Sequence, residues 1–327
     1  MSLAAIYAPI ESELKSVSGL IQKALERTTL KPLYAINQYI IGSPGKRLRP
    51  TLVLLSYKAL SPDTPVSKDI LETAASLELI HMASLIHDDI IDKAQIRHNK
   101  PSVNAKWGSE IAIPMGVYLY AVSLQFMASM GNIQVLRQIS RTVKQLCEGE
   151  MTQIFERDQV MGLHQYLVIL KKKTAVLFGA ACYSGAVLAK ADKATQFRMK
   201  QFGYCLGMVF QIIDDYMDIM GETQKLGKTA GQDFYLGEFT LPLLFLLDSL
   251  PEVEKAETLK KIASKDLTYL PQLQEQLIAS KALEKTKALA LDYLTRARET
   301  IAPLTESPAK EALIQITHFV SARGFEH

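Results

Sequence analysis

Asp88, Asp89 and Asp92 fall within little more than one helical turn in HDDIID, residues 87–92. The spacing returns in IDDYMD, residues 213–218, with Asp214, Asp215 and Asp218. On a helix, the first and last aspartates of each DDxxD project from one face, with the middle one beside them. Like charges so placed repel by about 0.2–0.5 kcal/mol per pair in water, and by more beside an apolar wall. A hard divalent cation relieves that repulsion, because Mg²⁺ takes carboxylate and phosphate oxygens into one octahedron. Either cluster alone reads equally well as a solvated acidic helix end. Two clusters facing across a helix bundle would instead set carboxylates on both sides of a cavity.

Competing chemistry is thin. The histidines at 81, 87, 98, 164, 318 and 327 show no zinc-ligand spacing, and no Ser or Cys stands in a nucleophile set. What remains suits a diphosphate gripped between Mg²⁺ ions, which makes it a good leaving group. If the attached group is allylic, its departure leaves a delocalised cation that an apolar cavity shields from water. The run SLELIHMASLI, residues 76–86, supplies apolar surface just before the first cluster.

The elements that must hold these residues read as helices. Apolar residues recur at i, i+3, i+4 and i+7 nearly throughout, and strand-like alternation is missing. All 13 prolines lie outside residues 115–241, which leaves the centre free for long helices. The pattern predicts helices over 8–28, 33–42, 48–60, 68–92, 111–130, 133–157, 162–188, 193–221, 239–249, 252–264, 267–280, 283–300 and 308–322. Breaks fall at SPG (43), SPDTP (61), NKPS (99) and GKTAGQD (227). The expected fold is all-α, a single large helical bundle with a central cavity, forming one domain over 1–327.

A composition of 48% hydrophobic and 22% charged residues is that of a globular protein, and a net charge of +3 argues against nucleic acid as a partner. The basic residues cluster instead, in GKRLRP at 45–50 and KKKT at 171–174. Cys147, Cys182 and Cys205 are too few and scattered for a disulfide framework, which fits a cytoplasmic location. The start, MSLAAIYAPIESELKSV, has no basic region followed by an apolar core, and so does not read as a secretory signal. Ile111–Leu136 is charge-free and long enough to span a bilayer, yet Pro114, Gly116, Ser123, Gln125, Ser129, Gly131, Asn132 and Gln134 interrupt it. It reads as an interior or interface helix, with no transmembrane segment.

GKRLRP, ELIHMASLIHDDIID, KKKTAVLF, GMVFQIIDDYMD and GKTAGQDFYLGEFTLP follow in that order along the chain. On these motifs the sequence resembles the trans-polyprenyl diphosphate synthases, the head-to-tail prenyltransferases, and most of all bacterial members making hexa- to octaprenyl chains. The resemblance implies the helical isoprenoid synthase fold, a homodimer, and about three Mg²⁺ ions around bound diphosphate. It implies that Asp88, Asp92 and Asp214 ligate metal, while Asp89, Asp215 and Asp218 act through waters or from behind the ligands. Lys46, Arg49 and His81 resemble the isopentenyl diphosphate pocket. Arg97, Lys173 and Lys228 resemble the allylic diphosphate ligands, and Thr174 and Gln211 the groups that steady the cation.

Two positions depart from the family pattern. A second arginine usually follows the first, but here His98 and Asn99 follow Arg97. Gly-Lys usually precedes TLP, but here Gly237-Glu238 does, and glutamate cannot donate to phosphate. Ala83 and Ser84, one turn before Asp88, are small where short-chain members usually carry a bulky aromatic. That implies a product of about six to eight isoprene units, because side chains there point down the cavity. Tyr120, Leu124 and Met127 are the candidates for its floor.

Three other readings stand beside this one. A class I terpene cyclase would usually replace the second DDxxD with an Asn/Ser/Glu motif. A metal-dependent phosphohydrolase needs histidine ligands that are missing here. A subunit of a heteromeric synthase is the reading that His98 and Glu238 motivate. The charge-free 111–136 stretch is the place for a dimer interface. Arg323, in the terminal SARGFEH, could close over the site, with no physical argument from sequence that it does.

Overall fold

The computed structural model describes residues 3–43, 45–221 and 231–325. The chain is all-α. Its first helices are α1 (Leu3–Tyr7), α2 (Glu11–Glu26), α3 (Lys31–Ile41), α4 (Leu48–Leu60) and α5 (Lys68–Ile91). After a short β1–β2 pair (Ile96–Arg97, Lys100–Pro101) come α6 (Val103–Trp107), α7 (Ser109–Met130), α8 (Ile133–Phe155) and α9 (Leu163–Leu170). The second half holds α10 (Val176–Leu188), α11 (Lys193–Met220), α12 (Gln232–Leu236), α13 (Leu241–Ser249), α14 (Glu252–Ala263), α15 (Leu270–Ala279), α16 (Ala282–Ile301) and α17 (Pro308–Phe325).

The first aspartate helix and α10 are interior elements. α5 packs between α7 and α4, and α10 packs between α4 and α11. α5 buries residues on every side, from Ile70 through Leu77 and Ile80 to Ile86, as a helix apolar all round must. α10 is more enclosed still, with Leu177, Phe178, Ala180 and Cys182 all inside. α16 covers α11 from outside, and α17 lies across both α4 and α11. The C-terminal helices thus form an outer layer, and the last of them reaches the central bundle.

Three features were not foreseen. The two-residue strands pair antiparallel, Ile96 with Pro101 and Arg97 with Lys100, so His98 and Asn99 form the turn. Both turn residues have positive φ, at 51° and 59°, as a tight hairpin requires; asparagine takes that region more readily than most residues. The expected 162–188 helix is interrupted by a π-helical turn at Lys171–Ala175, which joins α9 to α10. α7 starts at Ser109, two residues before the expected 111, and carries Pro114 inside it.

Candidate active site

The first aspartate cluster ends α5, with Asp92 as the C-cap. A helix C-terminus already carries negative dipole, so three carboxylates there need cations. Arg97, held by the β1–β2 hairpin, donates Nε and Nη2 to Asp89 Oδ1 at 2.9 and 2.5 Å. Arg157, just past α8, donates Nη2 to Asp92 Oδ1 at 2.8 Å. Asp88 is half-buried, and burial pushes its carboxyl up to about 7 despite Lys173, with Glu150 and Asp92 adding like charge.

Lys173 sits in the π turn and donates to Glu150 at 3.0 Å. Burial alone would lower its ammonium, but Glu150, Asp88, Glu238 and Asp92 together hold it well above the ordinary lysine range. Such turns often mark functional sites, because the extra residue re-aims the side chains beyond it. Gly149 makes room for this one: a Cβ there would lie 2.6 Å from the backbone nitrogen of Lys173. On either side of Gly149, Glu148 meets Lys172 at 3.1 Å and Glu150 meets Lys173.

Beside Lys173, Thr174 donates to Gln211 Oε1 at 2.6 Å, and Gln211 Nε2 donates to Asp215 Oδ1 at 2.8 Å. Tyr166 donates to the other Asp215 oxygen at 2.5 Å. The Gln211 amide is thus fixed from both ends. Gln153, Lys173, Gln211, Asp215 and Glu238 line one cleft.

Residues 231–233 tie the two clusters together. Gln232 Nε2 donates to the Asp92 carbonyl at 3.1 Å, and the next backbone N–H, of Asp233, donates to Asp218 Oδ2 at 2.9 Å. Gly231 N–H also donates to the Asp218 carbonyl, at 2.8 Å. The ends of α5 and α11 are therefore neighbours, as the repeated DDxxD implied.

On the α4 side, Arg49 lies over the rings of Phe178 and Phe210, 4.5 and 5.6 Å from their centroids. Its Nη1 donates to His81 Nε2 at 3.0 Å, so that nitrogen is the acceptor and the imidazole is neutral. Burial and Arg49 hold His81 well below the ordinary histidine range, and burial lowers Arg49 to about 10. Lys46 lies 5.2 Å from the Phe319 ring centroid and is lowered by burial and by Arg323. Asp214 acts on both Lys46 and Arg49 from across the pocket, and Arg323 Nη2 donates to Asp214 at 3.2 Å. Burial lowers His98 too, with Arg97 and Lys46 adding to it.

The structure thus gathers Asp88, Asp89, Asp92, Arg97 and Lys173 at one wall. Asp214, Asp215, Asp218, Thr174 and Gln211 form the other, and Lys46, Arg49 and His81 lie beside Asp214. Lys228 lies outside the described residues. One floor candidate is corrected: Leu124 turns outward and is 55% exposed, because it shares the outer face of α7 with Ile113 and Val117. Met127 is buried, and Tyr120 packs 6.4 Å from the His87 ring. Sequence reasoning missed Glu150, Arg157 and Tyr166, and noted Arg323 without an argument for it. For Glu150 a signal existed, in the complementary charges of EGE at 148–150 and KKK at 171–173.

The donor set is carboxylate oxygen, which suits a hard divalent ion. Among the described residues no three His, Cys, Asp or Glu side chains form a ready-made metal cage.

The polyprenyl synthetase family model matches residues 30–277. The heptaprenyl diphosphate synthase component 2 of Geobacillus stearothermophilus is 33% identical over 326 residues, covering 99% of this chain and 100% of that protein. A short chain isoprenyl diphosphate synthase of Methanothermobacter thermautotrophicus is 32% identical, covering 93% of this chain and 94% of that one. A polyprenyl synthase from Caulobacter crescentus, solved with calcium and isoprenyl diphosphate, superposes with a TM-score of 0.93 at 30% identity, over 99% of this chain and 98% of that one. With residues 232 and 233 linking the two aspartate clusters and a family match through most of its length, the chain is a prenyltransferase of the polyprenyl synthetase family.

Proposed function

We propose that this prenyltransferase condenses isopentenyl diphosphate with allylic diphosphates, using Mg²⁺, to build a trans-polyprenyl diphosphate of about six to eight isoprene units. The link between the clusters carries this reading: Gln232 and Asp233 join Asp92 to Asp218. Asp88, Asp92 and Asp214 would hold the metal, which neutralises charge developing on the leaving diphosphate. Asp89 orients Arg97 toward the allylic diphosphate, and Lys173 stands next to it. Lys46 and Arg49 bind the isopentenyl diphosphate, and neutral His81 keeps Arg49 aimed.

The allylic C–O bond breaks with its electron pair going to diphosphate. The isopentenyl double bond attacks the allylic cation, a C–C bond forms, and a proton passes to the departing diphosphate. Thr174 and Gln211 present oxygens near the cation, and Asp215 fixes the Gln211 amide so that its oxygen stays turned that way. Catalysis here is positioning and electrostatic stabilisation, with no covalent link to the protein.

The outer face of α7 supports a homodimer. Ile113, Val117 and Leu124 are 52%, 57% and 55% exposed along it, and Phe155 at the end of α8 is 73% exposed. α7 alone among the described helices is long and apolar enough to cross a membrane. Covering that face with a second copy in the cytoplasm accounts for it. A relative's name, component 2, favours one alternative, a partner of a different sequence on the same face.

Purified chain given Mg²⁺, labelled isopentenyl diphosphate and farnesyl diphosphate tests both levels. A ladder ending at about six to eight units supports the full reading, by the cavity argument at Ala83 and Ser84. An end at three or four units, roughly, defeats the length and leaves the mechanism. No product, with diphosphate still bound, favours the two-protein synthase.

A further inference from the structure

Glu238 stands where the family pattern carries a lysine, and the structure shows what it holds. Arg157 donates Nε and Nη2 to Glu238 Oε1 at 3.0 and 2.8 Å, and Gln153 donates to Oε2. The same Nη2 reaches Asp92 Oδ1 at 2.8 Å. Glu238 is only 7% exposed, so its charge is a fixed anchor and not a solvated one. Burial raises its carboxyl, against Lys173 and Arg157, and against burial Glu238 and Asp92 raise the Arg157 guanidinium. The two segments are also joined through backbone. Asp158 N–H donates to the Gly237 carbonyl at 2.8 Å, and Gly237 has φ +77° with no room for a Cβ beside Asp158.

We propose that Arg157 is an allylic-diphosphate ligand and that Glu238 is the positioning residue that holds it. The positive charge that the pattern places at 238 is here moved one side chain outward, onto Arg157. Glu238 grips the Nε–Nη2 edge of the guanidinium, while Asp92 shares only Nη2. Were Asp92 given over to metal, Glu238 would still anchor Arg157, leaving the Nη2 hydrogen now on Asp92 for the diphosphate. Arginine suits the role, because its planar fork serves an anchor and a phosphate together.

This rests on the diphosphate-site reading above, and the test separates the two. Mg²⁺-dependent binding of inorganic diphosphate is measured by calorimetry, with KM for farnesyl and isopentenyl diphosphates, on wild type, R157Q, R157K, E238Q and R157Q/E238K. R157Q is expected to weaken diphosphate binding and raise the allylic KM by about 10–100-fold, the scale of one lost charged hydrogen bond, leaving the isopentenyl KM within about twofold. E238K is expected to recover most of that loss in the R157Q background, by returning a cation to the same spot. E238Q and R157K are expected to fall between. Melting temperatures confirm that each variant folds. Wild-type binding with R157Q and R157K both within about twofold of it overturns the proposal alone. A folded R157Q/E238K no better than R157Q overturns it as well. Wild type that binds no diphosphate with Mg²⁺ overturns the underlying site reading, and this proposal with it.

Discussion

Arg323, near the end of α17, donates Nη2 to Asp214 Oδ1 at 3.2 Å. The same guanidinium lies 4.7 Å from the Phe210 ring centroid, and Arg49 approaches that ring as well. The last helix therefore reaches the second aspartate cluster, 109 residues back along the chain. A cation on a carboxylate proposed as a metal ligand competes with the metal for it. Arg323→Ala should lower the Mg²⁺ concentration for half-maximal activity by about two- to fivefold, the size of a part-exposed ion pair. It should also raise the KM for isopentenyl diphosphate, since Lys46 and Arg49 lose a neighbour that shapes their pocket. Mg²⁺ titrations at saturating substrate check the first effect. An unchanged midpoint contradicts it.

Asp88 gives a pH dependence with a definite sign. Its folded carboxyl is raised to about 7, chiefly by burial, from an ordinary value of 3.8. Between those values the native state binds a proton that the unfolded chain lacks, so this group's contribution to stability falls as pH rises through that window. Allowing for the partial exposure of Asp88, D88N should stabilise the chelator-treated protein by roughly 1–3 kcal/mol at pH 8, and by little at pH 4. Urea unfolding at the two pH values tests this. Equal effects at both would show that the carboxyl is not perturbed.

Product length should follow the side chains below Asp88. Ala83 is fully buried and Ser84 half-buried, its hydroxyl donating to the His81 carbonyl at 2.9 Å. S84F should shorten the product by filling the cavity below Asp88. Tyr120→Ala, removing the ring that packs beside His87, should lengthen it. Sizing the dephosphorylated products decides the matter, and an unmoved ladder in both variants would place the floor elsewhere.

The apolar face of α7 should fail as an interface once charged. Val117 is 57% exposed in the single chain, between Ile113 and Leu124. Val117→Glu should convert a sedimenting dimer to monomer while leaving helix content unchanged, because burying an unpaired carboxylate costs several kcal/mol, roughly. Wild type that sediments as a monomer, with no effect of V117E, would instead favour a partner of different sequence.

Much of this was legible in the sequence because the signals were local. The helix over 48–60 and, within two residues at its end, that over 133–155, with the break at 61, follow from apolar spacing and proline placement, and the DDxxD pairs needed no partner to be noticed. His98-Asn99 had a local signature too, since two residues that tolerate positive φ sit between short extended runs, yet it read only as a departure. The π turn at Lys171–Ala175 has no such mark, because one extra residue does not disturb the pattern of an apolar helix. Arg157 went unseen, and Arg323 lacked an argument, for another reason. Each is one basic residue at a polar helix end, and its carboxylate partner lies 65 or 109 residues away in sequence. Glu238 was seen only as a departure, because packing alone shows that it holds Arg157.

On the proposed mechanism the two aspartate clusters act as one site. Its most direct test is the condensation rate of purified chain alone, compared among D88N, D214N and the double variant. Groups that act as a unit are not additive, so each single change should cost about a thousandfold or more and the double little beyond either. A single variant that keeps near wild-type rate, or costs that simply multiply in the double, would contradict it.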